Sequence, residues 1–85
     1  MNAKQKKAYQ AAIDRDTPID SPVPLCRVCG KPSVHVHHIL FRSHGGKHEV
    51  DNLICLCEEH HRAAHRENEK EYRAYLFRLI EEERQ

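Results

Sequence analysis

Two pairs of metal-ligating side chains at one repeated spacing constrain this chain more than any other feature. Cys26 and Cys29 are separated by two residues, and so are Cys57 and His60. Each pair can close on one side of an ion, and two pairs complete the tetrahedron that zinc prefers. Four protein ligands leave no open position, so such a site is structural. Gly30 and Pro32 directly follow the first pair and give that loop the form of a knuckle. Cys55 competes with Cys57, lying two residues earlier on the same side of an expected strand. It forms no two-residue pincer with His60 and is read as a buried thiol.

The size of the chain explains why a staple is needed. With 85 residues, 39% hydrophobic and no Trp, it buries only roughly 60% of the surface its unfolded form exposes. A core that thin is commonly reinforced by a structural metal. No apolar run approaches the roughly 18 to 20 residues of a membrane span. The N-terminal MNAKQKKAYQAAIDRD has no apolar stretch of the kind a secretory signal carries. The expectation is a cytoplasmic protein whose cysteines stay reduced and bind metal. A net charge of +1 does not by itself specify nucleic acid. Lys4, Lys6 and Lys7, with Arg42, Lys47, Arg62 and Arg66 around the histidines, still suggest a locally basic face.

The pattern predicts a single α+β domain. Residues 1–16 read as a helix, with Ala8, Tyr9, Ala12 and Ile13 at helical spacing. Residues 17–25 carry three prolines and predict an extended connector. Residues 26–65 hold the knuckle and a core of two strands, near Val34–Leu40 and Leu53–Leu56, and a helix beginning at Glu58. The loop between the strands contains Gly45-Gly46. Residues 68–84 predict a further helix, either separate or continuous with the previous one, with Asn68 and Glu71 spaced for a capping box. Tyr72, Tyr75, Leu76, Leu79 and Ile80 form its apolar stripe. Phe77 lies off that stripe and hints at a second contact surface.

All eight histidines fall between His35 and His65. His61 and His65 are four apart, so a helix presents both on one face. His37 can reach the same ion from the strand. Three protein ligands with open positions make a catalytic metal site. His38 points to the opposite face of the strand from His37, and a neutral imidazole there suits deprotonation of water near pH 7. His35 shares a face with His37 and could support a ligand from behind, though it is read first as exposed; His44 and His48 could touch phosphate and are read first as solvated loop residues.

The run His37-His38-Ile39, Gly45-Gly46, Asn52-Leu53, Leu56-Cys57, His60-His61 and His65 resembles the HNH endonuclease motif of the His-Me finger nucleases. Cys26 and Cys29 resemble the zinc-bound subgroup, and the likeness covers about Cys26 to His65. It implies a ββα-metal finger with flanking helices and metal-dependent hydrolysis of DNA to a 5′-phosphate and a 3′-hydroxyl. By position it implies His38 as general base, with His37 and His61 as ligands of a catalytic divalent metal. His65 is similar to the third histidine ligand of colicin-type nucleases. Asn52 is similar to the central Asn that holds the loop and the base, and Arg42 to a basic residue near the scissile phosphate. Two positions depart from the common pattern, which has Asp at His37 and Cys at His60. Three imidazoles favour Mn, Ni or Zn over Mg. His60 leaves a Cys3His zinc set and opens a choice of register with His61, which the spacing from Cys57 decides for His60.

Lys47 and Arg62 join Arg42 as candidate nucleic-acid contacts. Double-stranded DNA is the expected partner. A phage packaging protein or another targeting protein, in a host cytoplasm, and a second copy of the chain are further expectations. A zinc-stapled binding module with an inactive site is the alternative from another class. A zinc hydrolase built on His37, His61 and His65 is a third reading, for which no carboxylate base stands at a recognisable spacing.

Overall fold

A capping box opens the first helix, α1 (Ala3–Arg15). The Asn2 side chain accepts the Gln5 amide at 2.8 Å, and the Gln5 side chain accepts the Asn2 amide at 3.1 Å. Two backbone donors that the helix itself cannot pair are thereby satisfied. The computed structural model describes residues 2–41, 45–66 and 70–82. Asn68 lies outside them, so its proposed cap is not among the features described here. Ala12 is the buried residue of α1, with Ala8, Tyr9 and Ile13 half-buried around it.

Residues 17–25 fold into turns instead of running extended. The Ser21 amide donates to the Pro18 carbonyl at 3.0 Å, and the Leu25 amide to that of Asp16 at 2.9 Å. Asp20 and Ser21 are residue types that favour turns, and the turn leaves Ile19 fully exposed. Leu25 bridges Pro32, which closes the base of the knuckle. Within it the Cys26 amide donates to Lys31 and the Gly30 amide to Cys26. Gly30 sits at φ +82°, a conformation open to glycine at little cost.

Strand β1 (His35–His38) pairs antiparallel with β2 (Leu53–Leu56), with His37 opposite Ile54 and His38 opposite Leu53. β1 is shorter than the apolar pattern predicts; beyond it, backbone bonds from Val34 to Leu56 and from Ile39 to Asn52 extend the ladder. All four β2 residues are buried. The strand therefore reads as an apolar run, without the polar alternation of a one-sided hairpin. Its second edge is covered: the Arg27 amide donates to the Cys55 carbonyl and the Asp16 carboxylate accepts the Cys55 amide.

The connection between the strands closes tightly at Gly46, where a Cβ would run into the Leu40 carbonyl. A single 3-10 turn, Val50–Asn52, leads into β2. Helix α2 (Glu58–Arg66) follows, then α3 (Lys70–Glu82). Ile39, Ile54, Leu56, Ala64, Leu76 and Ile80 form the apolar centre with Cys26 and Cys57. Phe77, half-buried, packs against this same core. Among the described residues no helix is long and apolar enough to cross a membrane.

Candidate metal centres and active site

Cys26, Cys29, Cys57 and His60 bring one ligand atom each to within 4.8 Å of one another. The knuckle supplies the first pair and the start of α2 the second. The Cys57 carbonyl accepts the His61 amide at 2.9 Å, the opening bond of the helix. Cys29 and Cys57 sulfurs stand 3.7 Å apart; His60 Nδ1 lies 3.2 Å from the Cys57 sulfur and 3.7 Å from that of Cys26. A tetrahedral zinc with Zn–S near 2.3 Å sets its sulfurs about 3.8 Å apart, which the Cys29–Cys57 spacing matches. Burial would raise the Cys26 thiol pKa, but amides of Cys57, Cys29 and Val28 outweigh it and draw the value down. The thiolate is the form that binds metal.

Cys55 stands apart from this group. β2 ends at Leu56, so the strand alternation that would place Cys55 and Cys57 on one side does not extend to Cys57. The Cys55 sulfur instead faces the Ala12 carbonyl of α1 at 3.9 Å. Burial, with Asp16 nearby, pushes its thiol up to about 12.

A second group joins β1 to α2. Ligand nitrogens of His37, His61 and His65 also lie within 4.8 Å of one another, with the Nε2 atoms of His61 and His65 3.2 Å apart. His37 is buried, His61 half-buried and His65 exposed, so the group opens to one side. Phe41 meets His37 edge-on and tilts over His65, giving an apolar wall. Burial, reinforced by the surrounding imidazoles, pushes His37 down to about 3. Burial and then His35 and His65 also lower His61. Both are therefore neutral near pH 7, as ligand imidazoles must be.

A cavity of about 180 Å³ is lined by Val36, His37, His38, Phe41, His61 and His65. His38 thus borders the same space as the three ligand candidates. Its ring meets Tyr9 of α1 edge-on, and its Nε2 lies 2.7 Å from Nδ1 of His48. Asn52 is buried and pins the backbone beneath. Its Oδ1 accepts the Leu40 amide, and its Nδ2 donates to the carbonyls of Leu40 and Lys47.

Two histidines read as solvated are engaged. His35 stacks on His61 and bonds Glu58 at 2.8 Å, and His48 meets His38. Strand alternation places His35 on the face of His37, whereas the contact of His48 across a loop leaves no signature in residue spacing. Lys47 and Arg62 are exposed, and Arg62 pairs with Glu58 at 2.9 Å. Arg42 and His44 lie outside the described residues.

A hairpin followed by a helix, with a Cys/His group able to hold a metal where knuckle and helix meet, is a ββα-metal finger. The HNH endonuclease family model matches residues 26–67. The match spans the finger, from the knuckle through α2. No curated protein and no solved structure matches the chain.

Proposed function

We propose that this protein is a metal-dependent HNH endonuclease that hydrolyses phosphodiester bonds of double-stranded DNA. The observation that carries the reading is the convergence of His37, His61 and His65 on a cavity that His38 also lines. Cys26, Cys29, Cys57 and His60 hold a structural zinc. His37, His61 and His65 hold the second, catalytic ion, for which three imidazoles favour Mn, Ni or Zn over Mg. A divalent ion bound there supplies positive charge to the transition state and the departing oxygen.

His38 takes a proton from water as the water oxygen bonds to phosphorus. The bond from phosphorus to the 3′ oxygen breaks, and that oxygen gains a proton from solvent. The products are a 5′-phosphate and a 3′-hydroxyl. Asn52 keeps the base in place by fixing the backbone on both sides of the connecting loop. Lys47, Arg62 and Arg42 contact the DNA backbone. A packaging protein or another targeting partner would direct the cut, and a second copy of the chain would allow cutting of both strands.

Cleavage of supercoiled plasmid by the wild type and by His38→Ala, with Mn, Ni or Mg supplied, tests this. The expected result is cutting by the wild type and a loss of about 10² to 10⁴ in rate for the variant, with both metals still bound. Equal cutting by both proteins removes His38 as base; no cutting by either, with both sites filled, leaves the binding-module reading.

A further inference from the structure

We propose that His48 is a positioning residue for His38: it holds the Nε2 edge of the base, so that Nδ1 is the nitrogen that receives the proton. The inference rests on the nuclease reading above. Three observations carry it. His38 Nε2 and His48 Nδ1 are 2.7 Å apart, with ring centroids at 4.5 Å and planes crossing at 64°. Tyr9 closes over both rings, its centroid 5.8 Å from His38 and 5.5 Å from His48. His48 is itself held from both sides. Asn52 donates its side-chain amide to the carbonyl of Lys47 at 3.0 Å and its backbone amide to that of Glu49 at 2.8 Å.

A neutral imidazole carries one proton, and which nitrogen bears it is set by the bond the other ring edge makes. With the proton on His38 Nε2, donated to His48 Nδ1, the lone pair lies on Nδ1. When His38 gains a second proton during attack, the bond to His48 becomes charge-assisted and strengthens. His48 therefore favours the transition state over the resting base. Asn52 acquires a specific task in this arrangement, since it fixes the two residues that flank His48.

The test compares His48→Ala, His48→Asn and His48→Gln by cleavage kinetics on a short DNA duplex with Mn. An Asn amide reaches about as far as imidazole Nδ1, and a Gln amide as far as Nε2. His48→Ala is expected to lose about 10- to 100-fold in kcat at unchanged KM, a share of the roughly 10² to 10⁴ that a placed base supplies. His48→Asn should recover most of it and His48→Gln little, with zinc content and Tm unchanged across the series. Unchanged kcat, a loss confined to KM, or equal recovery by Asn and Gln overturns the proposal. Should His48→Ala not retain zinc, the Asn against Gln comparison decides alone.

Imidazole 15N spectra separate this from the nuclease reading. His38 should carry its proton on Nε2 in the wild type and lose that preference in His48→Ala. An inactive wild type with this pattern refutes the nuclease and keeps the positioning; a proton on Nδ1, or no change in the variant, refutes the positioning.

Discussion

His35 lies flat against His61, with ring centroids 3.9 Å apart and planes 22° from parallel. Glu58 holds His35 Nε2 at 2.8 Å, and Arg62 holds the other Glu58 oxygen at 2.9 Å. This chain of contacts braces His61, a proposed metal ligand, and residues that orient a ligand commonly change metal affinity by about 10- to 100-fold. His35→Ala should weaken binding of Mn at the three-histidine site by roughly tenfold and leave zinc content unaltered. Calorimetric titration of the zinc-loaded protein measures it; an unchanged Kd would make the stacking incidental.

Asp16 ties three parts of the fold together. Its buried carboxylate accepts from Arg15 at the end of α1, from Arg27 in the knuckle at 2.7 Å, and from the Cys55 amide in β2. Arg15 extends the clasp to the carbonyls of Val50 and Leu53, and Arg27 to that of Leu79 in α3. Asp16→Asn leaves two largely buried guanidinium groups short of their counter-charge and should cost roughly 3 kcal/mol, read by urea unfolding at neutral pH. Burial alone would raise the Asp16 pKa, but Arg15, the Cys55 amide and Arg27 hold it below 3.8. The advantage of the wild type should be full above pH 3.8 and shrink as pH falls through the lowered value.

His37 gives acid sensitivity in a different window. The unfolded imidazole protonates near 6.5, whereas the folded one resists until about 3. Between those values the unfolded chain binds more protons, so His37 lowers stability progressively as pH falls from 6.5 towards 3. With the second site empty of metal, the His37 ring resonance should not shift between about pH 8 and about pH 5. Titration near 6.5 would show that burial does not govern it.

The cysteines should react in two classes. Cys55, with its thiol pushed up to about 12 by burial, should resist alkylation in the zinc-loaded protein and react only when the domain unfolds. Cys26, Cys29 and Cys57 should be protected by zinc and become reactive once a chelator removes it. Cys29→Ala should unfold the domain, because structural zinc contributes folding free energy on the order of 10 kcal/mol. Circular dichroism with and without chelator checks this.

The features that residue spacing makes legible are the local ones. The pincers at Cys26–Cys29 and Cys57–His60, the four-residue step from His61 to His65, and the buried run Leu53–Leu56 each depend on neighbours within one element. What the spacing does not carry is the meeting of distant elements. Asp16 and Arg27 sit on a helix end and a knuckle with a proline-bearing turn between them, which the Leu25 amide closes by returning to Asp16. His48 is ten positions from His38 in a loop, where a solvated side chain is the ordinary expectation. Cys55, read as a buried thiol because it makes no pincer with His60, is buried outside the ligand group.

Metal-dependent cutting in step with occupancy of the second site tests the nuclease most directly. Protein holding one zinc is titrated with Mn while plasmid cleavage and bound Mn are followed together. Cleavage should rise with filling of a single further site per chain, and His61→Ala, with its zinc intact, should neither bind the added Mn nor cut. Cutting by His61→Ala at the wild-type rate, or a filled second site on a wild type that leaves the plasmid intact, would contradict the account.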